Sequence, residues 1–467
     1  MTLFMKKLLI GISSPLVLFL VYSLWNWDSS PPTVQWREAP SVIGMDSQIS
    51  LEIQDQGKGL QWLEVAWVRS GDRHVVVSET YEAPWSWQQG MTQRSLDLSV
   101  GSSLPESILS EGEFLLEVRV RDQSDLWFWE NEVFEQRSFN LDLTPPRIQT
   151  LSDQHYIRQG GSEAILYKVS EDTVASGVQV GEHLFRGYPL PGRGQGTHVC
   201  LFALAHDQAP ATAMYVWAED AAGNRNQTSF WKRAFPVKFR KRNIQLSESM
   251  INAVVPEILA HTDMTLGESV LETFLEINGR LREINHRQIE EISRQSVGHL
   301  LWSGAFLQLS NSQVESAFAD HRTYYYKSQK VDQQTHLGFD LATVAHGAVE
   351  SANDGIVVFA DYLGIYGNTV LVDHGLGLIS LYGHLSSIEV QEGQGITKGA
   401  ILGRTGQTGL AAGDHLHFSM ILQGVQVNPL EWWDERWVDQ HILGKALVAT
   451  EEGEESRRGA ADLFDPS

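Results

Sequence analysis

Between residues 33 and 143 apolar positions recur at every second residue. Ile49, Leu51 and Ile53 alternate with polar neighbours, as do Leu63, Val65 and Trp67, and again Leu116, Val118 and Val120. Successive side chains of a strand point to opposite faces, so a period of two predicts half-buried strands. Polar turns separate the runs and no long helical stretch intervenes, which predicts a β-sandwich. Thr144, Pro145 and Pro146 punctuate its end. A second β-unit follows over residues 144–243. Its last strand, through Tyr215, Val216 and Trp217, runs into an Asp-led turn at Asp220, Gly223 and Asn224, much as residues 117–122 end in Asp122. The parallel hints at a duplicated module.

From residue 244 to 299 the period changes. Val270, Phe274, Ile277, Leu281 and Ile284 step by four, three, four and three, which places one apolar stripe along a helix. Thr265 and Glu268 stand at capping-box spacing before the stripe, Ser247 is placed to cap an earlier helix, and Pro256 kinks or ends that helix. A single helix over 265–297 would be on the order of 50 Å long; a partner helix, a coiled-coil dimer or a neighbouring domain could each bury its stripe, with packing within the chain as the default. Over residues 300–437 the pattern returns to short strands rich in Gly and His. Residues 438–467 lose apolar content and read as a polar, disordered tail.

At the amino terminus Lys6 and Lys7 precede an apolar run over residues 8–25, and Asp28, Ser29, Ser30, Pro31 and Pro32 stop it. The run is near the lower length limit for a spanning helix and lacks a small-x-small cleavage site. Residues 1–32 therefore read as a cytoplasmic start and an uncleaved, single-pass anchor in the inner membrane, with the remainder outside the cytoplasm, in the periplasm.

Length, 467 residues, allows three or four domains. The formal charge of -23 argues against nucleic acid as a partner, because phosphates are bound by neutralising them with Lys and Arg. The lone cysteine, Cys200, excludes an intrachain disulfide and a thiolate zinc site. Any metal must be held by His and carboxylates.

Three short clusters carry candidate chemistry. On a strand through His415, His417 and Ser419, two imidazoles share one face while Leu416, Phe418 and Met420 point into a core. In His336-Leu337-Gly338-Phe339-Asp340 the imidazole and carboxylate converge across a residue with no side chain. In Leu381-Tyr382-Gly383-His384-Leu385 the polar members again fall at even spacing, with Tyr382 open to a structural or a functional reading. A hydrolytic zinc site takes three protein ligands and keeps one position open. His336, Asp340 and His417 supply that set, and His384 and His415 remain as uncoordinated bases.

His-x-x-x-Asp, then Tyr-Gly-His-Leu, then Gly-Asp-His-Leu-His-Phe resembles the ordered signature of the lysostaphin-type, LytM-like zinc metallopeptidases. The likeness extends through Gly367-Asn368-Thr369-Val370, Gly406-Gln407-Thr408-Gly409 and Asn428-Pro429-Leu430, over roughly residues 314–434. It implies a compact domain of antiparallel sheets with one zinc ion in an open groove. It places the zinc ligands on His336, Asp340 and His417 and the catalytic histidines on His384 and His415. Relatives often use a tyrosine from the approach segment, where this chain has Tyr324, Tyr325 and Tyr326; the spacing leaves open which of them, if any, takes that part. The implied activity is hydrolysis of peptide cross-links in peptidoglycan, at a stem or a bridge peptide, with cell-wall, division or elongation machinery as the implied protein partners. The alternative is a LytM-domain scaffold that activates another wall hydrolase. Residues 33–143 and 144–243 resemble bacterial immunoglobulin-like domains through the Thr-Pro-Pro opening and the Asp-x-x-Gly-Asn turn. The expected fold is thus mainly β, with two sandwiches, a helical connector and the peptidase domain.

Overall fold

The computed structural model describes residues 30–82, 90–105, 109–123 and 131–447. The chain is mainly β and divides into two compact units, residues 1–146 with 219–225, and residues 147–218 with 226–467.

In the first unit a five-stranded sheet runs in the order Val42–Ile43, Glu132–Leu141, Gly112–Asp122, Leu60–Arg69 and Asp72–Thr80. A three-stranded sheet joins Thr33–Glu38, Gln48–Gln54 and Gln93–Ser99. The alternation read from the sequence sets the inward faces: Ile49, Leu51, Ile53, Leu63, Val65, Trp67, Leu116, Val118 and Val120 are all buried in one core. Trp67 sits edge-on to Phe114 and Phe139 at its centre.

The second unit holds a β-module, the helical segment and the carboxy-terminal sheet. The largest sheet has eight strands. Its path is Gln313–Ser316, Phe339–Ala342, Leu416–Leu422, Leu378–Leu385, Asn368–Asp373, Gly355–Tyr362 and Gly395–Ile396, with Val425–Val427 paired to Leu416–Leu422. Leu416, Phe418 and Met420 fill the core on one face of the central strand, which frees the other face for His417 and Ser419. A smaller sheet of Lys241–Leu246, Asp320–Tyr326 and Gln329–His336 lies beside it.

The helical segment differs from one long helix. Glu248–Ala260 is capped by Ser247, whose side chain accepts from Met250 N, and Pro256 lies inside it without ending it. The next helix begins at Val270, capped by Ser269 in place of Thr265. Glu272 reaches back to Glu268 N at 2.8 Å, so the capping pair stands four residues later than the spacing suggested. A π-turn at Ile277–Leu281 joins Val270–Glu276 to Arg282–Ser293. The extra residue in that turn rotates the inward face, and Asn285, Ile289 and Ser293 are buried where a regular helix would bury Ile284. The stripe packs within the unit against Ile365, Tyr366, Leu371 and Ile421.

The first part of the segment expected to be a disordered tail is instead helical, at Val438–Leu443 and Gly444–Leu447, because Val438 and Ile442 join the core.

The membrane-anchored, periplasmic localisation expected from the sequence does not stand. Among the described residues no helix is long and apolar enough to cross a membrane. The helical run from Val270 to Ser293 is amphipathic and interrupted by charge. Residues 8–25, on which the anchor and its inner-membrane contact rested, lie outside the described residues.

Candidate metal centre and its cavity

Sheet register assembles the site. Asp340 pairs directly with His417 across adjacent strands, and Gly383 pairs with His417 from the other side. His336 ends the last strand of the smaller sheet, opposite Asp320, and the chain then crosses through Leu337 and Gly338 into the strand that carries Asp340. Gly338 is required by this approach. A Cβ there would lie 2.5 Å from Ser419 Oγ and 2.6 Å from the His417 ring.

Both imidazoles are oriented through their outer nitrogens. His336 Nδ1 donates to the Ala317 carbonyl oxygen at 3.1 Å. His417 Nε2 lies 2.9 Å from Ser419 Oγ, whose own proton goes to the Leu337 carbonyl oxygen at 2.7 Å, so the imidazole is the donor. In neutral rings these bonds leave His336 Nε2 and His417 Nδ1 unprotonated. Those two lone pairs and Asp340 Oδ1 face one another at 2.9, 3.1 and 3.1 Å. Three acceptors this close repel unless a cation sits among them. Tetrahedral zinc with bonds of about 2.0–2.1 Å holds its ligand atoms about 3.3 Å apart, so the donor set fits that ion.

The electrostatics agree with this picture. Burial pushes the Asp340 carboxyl up, but His336, His415 and His417 outweigh it and hold it well below the usual carboxylate range. Burial brings the His417 imidazole down to about 4. It also holds His384 well below the ordinary histidine value, with His415 and His417 adding to the effect. For His415, burial opposes the charge, yet Asp340 raises its pKa from 3.5 Å away.

His384 and His415 flank the three. His384 Nδ1 donates to the Thr408 carbonyl oxygen and His415 Nδ1 to that of Gly413, each at 2.8 Å. Their rings stand 4.8 Å apart and both line one cavity of about 430 Å³ with the three candidate ligands. His384 adopts a left-handed backbone, φ 63°, uncommon outside glycine. That breaks strand alternation, so Tyr382 and His384 do not share a face. Tyr382 is buried, accepts from Ala352 N and Ser380 Oγ, and packs on Phe418. Its place is structural.

Of the three approach tyrosines, Tyr324 lines the cavity, while Tyr326 donates to Glu248. Several neighbours carried no signal that spacing could reveal. Arg322 donates to Asp340 Oδ2 at 2.7 Å. Tyr366 lies against the His417 ring at 5.3 Å. From the helical segment Met250, Phe274 and Arg282 wall the cavity, and Glu257 accepts from Gly409 N at 3.0 Å, holding the loop that positions His384.

Fold and site together define a peptidase-type domain with a His–Asp–His centre. Residues 334–429 match the model of Peptidase family M23, and the carboxy-terminal part of the chain is an M23, LytM-type domain. Over 95 residues the chain is 37% identical to the DD-carboxypeptidase/endopeptidase Mpg of Neisseria meningitidis serogroup B, covering 20% of this chain and 22% of that relative. It is 36% identical over 96 residues to the peptidoglycan DD-endopeptidase ShyA of Vibrio cholerae, covering 21% and 22%. It is 38% identical over 84 residues to the murein hydrolase activator EnvC of Escherichia coli, covering 18% and 20%. The matched stretch thus spans about a fifth of the length of these curated relatives.

Proposed function

We propose that the chain is a zinc-dependent endopeptidase that hydrolyses peptide cross-links of bacterial peptidoglycan, with the two amino-terminal β-units, read as immunoglobulin-like modules, and the helical connector presenting the catalytic domain. The observation that carries this reading is the triangle of unprotonated ligand atoms from His336, Asp340 and His417 at the floor of an open cavity. Zinc held there supplies the Lewis acidity that polarises a scissile carbonyl and makes water reactive near neutral pH.

The chain's own residues do the rest. His384, kept neutral by burial and with Nδ1 committed to Thr408, presents Nε2 to take a proton from the attacking water. His415, with Nδ1 committed to Gly413, presents Nε2 to steady the developing oxyanion and to hand a proton to the leaving amine. Met250, Phe274 and Ile244 form an apolar wall that seats an extended peptide and keeps bulk water away.

The similarity to a named activator favours a second reading, a scaffold that switches on another wall hydrolase. One experiment separates them: digestion of purified cross-linked wall by the full chain, with and without chelator, and mass analysis of the products. The peptidase reading expects cross-linked muropeptides to fall to monomers only while metal is present. No metal-dependent release by the chain alone contradicts it.

A further inference from the structure

In a chain with formal charge -23, the cavity beside the metal centre is lined by three guanidiniums, those of Arg242, Arg282 and Arg322. They arrive from three elements: the strand Lys241–Leu246, the helix Arg282–Ser293 and the strand Asp320–Tyr326. Arg242 is held by neutral acceptors, the Glu315 carbonyl oxygen at 3.0 Å and Ser316 Oγ at 2.8 Å. So is Arg282, by the Asn278 carbonyl oxygen at 3.0 Å and Asn278 Oδ1 at 2.6 Å. Among the described residues no carboxylate forms an ion pair with either. Arg322 spends Nη2 on Asp340.

Three carboxylates, Asp340, Asp414 and Glu315, line the same cavity and balance the guanidiniums in formal charge, but none is ion-paired with Arg242 or Arg282. Asp340 is taken by Arg322 and the three histidines. Asp414 accepts from Thr405 Oγ1 at 2.6 Å and from His346 N at 3.1 Å. Glu315 remains as the third. Planar guanidiniums held by their neighbours are pre-set to take a carboxylate in paired hydrogen bonds.

We infer that the three arginines form a carboxylate subsite, so that the substrate is a peptide bearing a free carboxylate close to the bond that is cut. The inference rests on the peptidase reading above and narrows it. One guanidinium serves both the candidate ligand Asp340 and the subsite, which puts the bound carboxylate within about two residues of extended chain from the reacting carbonyl. The helical segment, through Arg282, is then a working wall of the site and sets which peptides fit.

The test uses the full chain and two synthetic ligands: a cross-linked stem-peptide dimer with its flanking carboxylates free, and the same dimer with them amidated. Binding to metal-free protein is measured by calorimetry, and kcat/KM on zinc-supplied protein. Amidation is expected to weaken both by about tenfold or more in the wild type, as loss of a charged hydrogen bond does. In Arg282→Gln and Arg242→Gln, with circular dichroism verifying the fold, that ratio is expected to shrink toward one. Equal handling of both dimers by the wild type overturns the subsite, as does a ratio that survives in the two variants. A binding preference for the free acid without cleavage of either dimer upholds the subsite and sinks the peptidase reading. Cleavage of both dimers at one rate, with equal binding, does the reverse.

Discussion

At the scale of single residues, the centre is set as much by what holds the histidines as by the histidines themselves. Ser419 accepts the outer proton of His417 and passes its own to Leu337, which fixes the unprotonated nitrogen toward His336 and Asp340. Ser419→Ala is expected to keep the fold and weaken zinc binding by about 10- to 100-fold, read by competition with a chelating dye. His417→Ala or Asp340→Ala is expected to abolish zinc retention, whereas His415→Ala should keep the metal and lose turnover; full activity of the last variant would show the roles to be misassigned. The spacing of His415 to His417 was visible through strand alternation, whereas His336 and Asp340 were visible only as a short His-x-x-x-Asp motif, since they belong to strands of two sheets and meet through the crossing at Leu337 and Gly338. Arg322 was not visible. Its pairing with Asp340 comes from the meeting of two sheets, which no local pattern encodes. Tyr382, which the sequence left open to a structural or a functional role, is structural: the left-handed turn at His384 reverses the alternation that would put the two on one face.

At the scale of elements, the helical segment shows where periodicity succeeds and stops. The apolar stripe through Phe274, Ile277 and Leu281 is buried as its spacing requires. Beyond Leu281 the π-turn shifts the face by one residue, and the packing of Asn285 against Gly364 and Ile365 stabilises a register the sequence pattern does not carry. Ser269 caps this helix by accepting from Glu272 N. Ser269→Ala is expected to destabilise the second unit by about 1 kcal/mol, measured by denaturant unfolding. Glu257 ties the preceding helix to the loop around Gly409, so Glu257→Ala should speed hydrogen exchange at the Gly409 amide while leaving the sheet amides protected. Unchanged exchange there would show that the loop stands without the helix.

At the scale of the second unit, the β-module and the carboxy-terminal domain meet through a buried carboxyl group. Glu431 accepts from Ser162 N at 2.8 Å, and burial raises its pKa to about 8, with Glu163 adding to the shift and Ser162 and Arg158 opposing it. An unfolded glutamate titrates near 4.3. Between those values the folded state holds the extra proton, so stability falls as pH rises through that window and levels off above it. Thermal denaturation from pH 7 to 9, above the range in which the depressed pKa values of buried His286, His374 and His417 make stability rise with pH, should show this decline. Glu431→Gln should flatten it, with a gain on the order of a few kcal/mol at the alkaline end. A wild-type profile flat across that range contradicts the assignment. The mainly β character and the M23 domain were legible from alternation and motif. The spanning segment was not carried through to the structure, since residues 8–25 fall outside what is described and the described helices are short or amphipathic.

The claim on which the functional reading turns is that one zinc ion joins three side chains drawn from two sheets. Anomalous diffraction at the zinc absorption edge, from crystals of the full chain grown with zinc, tests it most directly. The account predicts a peak about 2.0–2.2 Å from His336 Nε2, Asp340 Oδ1 and His417 Nδ1. A map with no peak among those atoms, or with its peak on other residues, contradicts it.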